Sequence, residues 1–165
     1  MSSPVRAARE EGRGVWSEPL TAYTHDDGRS VVTVTVHDGQ GAPVATVRCD
    51  YNRAARTGLF GEMVITAPGG TPRQRVRALV LLVREALRQA DAFGLTHVRT
   101  EAPARLLPFA ERMSNLRSRE LHTGDRHELA GELHSVRTHI LDTTDADGND
   151  TTISPSPKLG EGAGR

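Results

Sequence analysis

Valine and threonine alternate through SVVTVTVHD, residues 30–38, and a second run, APVATVRCDY, follows the turn residues Asp38-Gly39-Gln40-Gly41. Apolar and polar positions at period two predict half-buried strands, and the Asp-Gly pair between β-branched runs predicts an antiparallel hairpin. Leu59 to Thr66, LFGEMVIT, reads as a third strand completing a meander after the loop Asn52–Gly58. Upstream, Pro19 restricts the stretch after Val15 to a short edge strand, and His25-Asp26-Asp27-Gly28 is a turn.

The period then changes. Over residues 71–94, Val76, Leu79, Val80, Val83, Ala86, Leu87, Ala90 and Phe93 recur at helical spacing, with Leu81 and Leu82 widening the stripe. Thr71 can cap this helix, Pro72 suits its first position, and Gly94 can take the left-handed conformation that ends it. The loop Ala67-Pro68-Gly69-Gly70 leads in and the strand-like LTHVRTEA leads out, which makes a βαβ unit. Beyond it, Pro103 opens a second helix, either continuous or beginning at Leu107 because of Pro108. Leu121–Gly131 reads as a loop or a short turn of helix, and ELHSVRTHILD, residues 132–142, reads as the last strand. The expected fold is α+β: a mixed, mainly antiparallel sheet with a central βαβ unit and two main helices. Residues 1–14 are expected to be a flexible arm, 15–142 the domain, and 143–165 a polar tail.

Composition narrows the function. The 21 basic residues are balanced by 21 acidic ones, so no net field draws the chain to nucleic acid or to an anionic membrane. No apolar run reaches spanning length and no signal-peptide segment opens the chain, so a cytoplasmic location is expected. Cys49 is the single cysteine and sits in a strand, which favours a packed thiol over a nucleophile. The aspartate run from Asp145 to Asp150 lacks EF-hand spacing. His122 with His127, and His134 with His139 on opposite faces of the expected last strand, have no third zinc ligand, so no metal site is expected.

The helix start is the one place where the pattern points to chemistry. Its first N–H groups lack intrahelical partners, and Arg73, Arg75 and Arg77 add positive charge, a combination suited to phosphate or a cofactor. Solvated arginines beside a capped helix are the alternative reading.

The segment PRQRVRALVLLVREALRQADAFGLTHV, within this order of elements, resembles the GNAT superfamily of acetyl-CoA-dependent N-acyltransferases over about residues 30–141. In that resemblance Arg73 and Ala78 fall on the first and last positions of the R/Q-x-x-G-x-G/A cofactor loop, and Val76 replaces its central glycine. Phe109-Ala110-Glu111-Arg112 looks like the superfamily's F-Y-E-K/R segment, with Ala110 where a tyrosine often serves as general acid. The family's first strand and its two helices, which help to form the acceptor site, are not evident in the sequence.

Two functions follow from the resemblance. If the chain is active, it is an acetyltransferase in which Arg73, Arg75, Val76, Arg77 and Ala78 hold acetyl-CoA and Glu62 acts as base. The preferred expectation is a non-catalytic GNAT-like protein with no cofactor, docking through both polar arms onto protein partners in a larger assembly. The resemblance extends to small GNAT-like proteins in tailed-phage genomes, some of them particle components, which adds a virion location to the cytoplasmic one. A homo-oligomer is one form such an assembly can take.

Overall fold

The computed structural model describes residues 15–121, 124–145 and 149. The N-terminal arm, His122, most of the aspartate run and the polar tail beyond residue 150 lie outside the described residues.

The chain builds one mixed sheet from β1 (Thr21–Asp26), β2 (Val31–His37), β3 (Pro43–Asn52), β4 (Thr57–Phe60), β5 (Val64–Ile65), β6 (His97–Pro103), β7 (Arg119–Glu120) and β8 (Arg126–Glu132). Among the described residues three helices accompany it: α1 (Pro72–Ala92), α2 (Leu107–Ser114) and α3 (Leu133–Thr143). The strand order is β1-β2-β3-β4-β6-β8-β7, with β5 paired to β3, and β4 against β6 is the parallel pair inside the βαβ unit.

Alternation decides which face is core. Val32, Val34 and Val36 of β2, with Val47, Cys49 and Tyr51 of β3, are buried against Leu82, Ala86, Leu87 and Ala90 of α1. Residues of opposite parity, Arg48, Asp50, Leu59 and Arg99, are exposed on the other face. Such burial of apolar side chains contributes roughly 1.5–3 kcal/mol for each large one. Gly94, at φ +82°, ends α1 as expected.

Several expectations are corrected. The strand expected over 59–66 is two pieces, because after Phe60 the chain turns toward β3: Gly61 N–H donates to Arg48 O at 2.8 Å, and Val64–Ile65 pairs with Ala45–Thr46. The last strand lies earlier, at Arg126–Glu132, and the segment expected to form it is α3. Leu133, Val136 and Ile140, spaced three and four apart, bury one helical face, and this outweighs β-branched propensity. Among the described residues α3 adds a third helix to the two expected, and His134 and His139 lie on it, where the His139 ring contacts Arg112 O at 2.8 Å. Pro103 ends β6 rather than opening a helix; a single 3₁₀ turn, Ala104–Leu106, precedes α2, which begins at Leu107 with Pro108 in its first turn. A first strand is present as edge strand β1, joined directly to β2 by a turn in which Asp27 Oδ1 accepts the Arg29, Ser30 and Val31 N–H groups. No pair of helices intervenes. Val76 leaves the apolar stripe and is 41% exposed.

Candidate functional site

Thr71 caps α1 with extended backbone, its Oγ1 accepting Gln74 N–H at 3.0 Å while Gln74 Oε1 accepts Thr71 N–H at 3.1 Å. This reciprocal capping box satisfies two amides of the helix start. The Gln74 carboxamide does more. Its Oε1 also accepts Trp16 N–H at 2.8 Å, and its Nε2 donates to Trp16 O at 2.8 Å and to Glu18 Oε2 at 2.7 Å. The other Glu18 oxygen pairs with Arg77 Nη1 at 2.8 Å. Trp16, 4% exposed, lays its indole on Gly70 and donates from Nε1 to Pro68 O at 3.1 Å. Gly70 has φ +79°, and a Cβ there would lie 2.6 Å from the indole, so only glycine admits this contact. Residues 16–18 are thereby strapped across the loop and the amino end of the central helix.

The residues expected to hold a cofactor are gathered here, but as helix rather than loop. Arg73, Arg75, Val76, Arg77 and Ala78 all lie in the first two turns of α1. Arg75 N–H already bonds Thr71 O at 2.9 Å, and the amides of Val76, Arg77 and Ala78 lie deeper, where each N–H bonds the carbonyl four residues back. Pro72 has no N–H and Gln74 N–H is taken by Thr71. Among the described residues, the Arg73 N–H is left as the one amide of that turn open to an external anion. The arginines are partly committed as well, Arg77 to Glu18 and Arg75 Nη1 to Gly69 O at 2.9 Å. Arg73 is exposed, and Ala78 is buried in the core.

Further along the sheet, β4 and β6 separate past Phe60 and Thr100, since β5 turns to β3 while Glu101–Pro103 pairs only with β8. A cavity of about 90 Å³ lies in the cleft, walled by side chains such as Phe60, Met63, Leu87, Phe109, Ala110 and Met113. Its lining is almost wholly apolar. Ala110 presents a methyl group there, and the neighbouring Ser114 hydroxyl donates back to Ala110 O at 2.8 Å. Glu62, the candidate base, is exposed on the link between β4 and β5. Cys49 is fully buried, and burial pushes its thiol pKa up to about 12, which keeps it in the unreactive thiol form. Burial likewise pushes the Tyr51 phenol up, its hydroxyl donating to Ala86 O at 2.7 Å. Among the described residues no three His, Cys, Asp or Glu side chains converge to hold a metal, and no helix is long and apolar enough to cross a membrane.

Trp16, Glu18 and Gln74, the residues that define the site, were not singled out by the sequence pattern as site residues. Thr71-x-x-Gln74 is itself a capping-box signal, whereas the partners Trp16 and Glu18 carry no local signal.

No protein-family model and no curated protein matches this sequence. Solved structures do match. Nourseothricin acetyltransferase superposes with a TM-score of 0.50 at 15% identity, covering 80% of this chain and 95% of its own. An acyl-CoA N-acyltransferase from Klebsiella pneumoniae gives 0.52 at 13% identity, over 66% of this chain and 77% of its own. Spermidine N-acetyltransferase from Vibrio cholerae, solved with CoA and spermine, gives 0.50 at 15% identity, over 67% and 70%. The chain has the GNAT acetyltransferase fold: a mainly antiparallel sheet crossed by one βαβ unit.

Proposed function

We propose that this chain is a non-catalytic GNAT-fold protein that serves as an interaction component of a larger assembly. The observation that carries the reading is the strap: Trp16 and Glu18 bind Gln74 and Arg77 across the helix start, so the chain's own carboxylate takes the charge that an external anion would need. An incoming pyrophosphate would meet a helix start with a single open amide, the Arg73 N–H, and a repelling carboxylate beside Arg77. The residues present do not fit coenzyme A.

Two further features support the same reading. Ala110 has no proton to give a departing thiolate, and Glu62 stands exposed on the link between β4 and β5. The sheet face opposite the helices, carrying Arg48, Asp50, Leu59 and Arg99, offers binding surface in place of a site. A tailed-phage particle is one assembly of this kind.

The test is transfer itself. Purified protein is mixed with acetyl-CoA and a panel of amines comprising polyamines, an aminoglycoside, a streptothricin and lysine peptides, and free thiol is followed. Thiol release is expected at the uncatalysed rate with every amine. Saturable, enzyme-dependent release with any one of them overturns the reading.

A further inference from the structure

The two edges of the sheet are built differently. At one, β7 is only Arg119–Glu120, short and charged, the usual protection against pairing with another chain. At the other, β1 runs six residues, TAYTHD, without proline, glycine or lysine, and its first four residues are uncharged. Asp27 N–H donates to Val31 O at 3.0 Å, which by alternation makes Thr21, Tyr23 and His25 the residues whose backbone groups bond β2. The N–H and C=O groups of Ala22 and Thr24 therefore point away from the sheet, and among the described residues no strand pairs with them.

We propose that this edge pairs with the same edge of a second copy, antiparallel, making one sheet continuous across a two-fold axis. The register follows from parity. A two-fold axis normal to the sheet keeps like faces together, so opposed residues must have the same orientation. Setting Ala22 against Thr24 of the partner subunit satisfies that, joins outward backbone groups on both sides, and leaves Asp26 beyond the paired stretch. Tyr23 then faces its own counterpart across the axis as a non-hydrogen-bonded pair, the closer kind, with Cα atoms about 4.5 Å apart. Tyr23 suits that position: it is 57% exposed, on the face away from α1, and already packs edge-on against His37 at 5.3 Å. Cross-strand aromatic pairs are a favoured unit of sheet stabilisation. On the helix side, the Thr24 hydroxyl donates to Glu85 Oε2 at 2.5 Å, which ties the edge strand to α1. This inference is independent of whether the chain is catalytic.

The experiment uses the full chain carrying Tyr23→Cys, with Thr33→Cys as the control on the same face but one strand in from the edge. Both variants are oxidised and run on a non-reducing gel, and the unmodified protein and Tyr23→Lys are weighed by sedimentation equilibrium. Expected are a covalent dimer from Tyr23→Cys alone, twice the monomer mass for the unmodified protein, and a folded monomer for Tyr23→Lys. A monomeric unmodified protein, or a dimer in which Tyr23→Cys cross-links no better than Thr33→Cys, overturns the proposal.

Discussion

Gln74 and Trp16 exchange two hydrogen bonds across 58 residues of sequence: Gln74 Oε1 accepts Trp16 N–H and Gln74 Nε2 donates to Trp16 O, each at 2.8 Å. A side-chain amide thus pairs with a backbone segment as a neighbouring strand would. Gln74 is 5% exposed, so its partners have no ready water to replace it. Replacing it by leucine keeps the volume and strands the Thr71 N–H and both Trp16 groups. Gln74→Leu is expected to cost about 2–4 kcal/mol in chemical denaturation. A loss indistinguishable from zero would mean that the strap adds nothing to the fold.

Cys49 gives a second check. With the thiol fully buried and its pKa raised to about 12, a thiol reagent is expected to modify it only as fast as the protein opens. Labelling in native buffer should be absent on the timescale of minutes and complete at once in denaturant. Rapid native labelling would place Cys49 outside the core.

Glu85 sets part of the acid stability. Burial alone would raise its pKa, but hydrogen bonds from Arg88, Thr24 and Gln89 and the Arg88 charge outweigh it and hold the carboxyl down at about 2, against 4.5 for the free group. A depressed carboxylate contributes stability that is whole above the unfolded pKa and is lost as pH falls through the folded one. Discounted for partial exposure, the contribution is about 1–2 kcal/mol. The stability gap between the unmodified protein and Glu85→Gln is expected to be constant above about pH 5 and to close toward about pH 2. A gap that widens on acidification would reverse the sign and refute the assignment.

The cavity beneath α2 predicts a gain. Ala110 lines about 90 Å³ of apolar space, so Ala110→Leu adds methylene groups where contacts are missing. Stabilisation of about 1 kcal/mol, seen as a melting temperature a few degrees higher, is expected. Destabilisation would mean that the space is needed for breathing of α2.

Where local signals agreed with packing, the sequence was readable. Thr71, Pro72 and Gly94 mark both ends of α1 by side-chain and backbone chemistry confined to a few residues, and Asp38–Gly41 marks the first long hairpin in the same way. The end of the chain misleads because α3 has no side-chain cap at Glu132 and is rich in β-branched residues, while β8, RHELAGE, hides its strand character. Glu128, ion-paired to Arg99 and Arg119, lies on the outer face as alternation requires, but the core-face positions of β8 are His127, Leu129 and Gly131, so one large apolar residue is all that marks the strand. The strap was illegible for a different reason. Trp16 with Gln74 and Glu18 with Arg77 meet only after the sheet has folded, across separations of 58 and 59 residues, and no periodicity records them.

If the chain fills its own anion site, acetyl-CoA finds no place at the start of α1, and calorimetric titration measures this. The unmodified protein is run beside a Trp16→Ala, Glu18→Ala double variant that removes the carboxylate from Arg77 and the indole from Gly70, with circular dichroism confirming that the variant is folded. No heat of binding is predicted for the unmodified chain, and weak binding for the opened one. Saturable micromolar binding by the unmodified chain would contradict the claim and return Arg73, Arg75 and the helix start to the role of a working cofactor site.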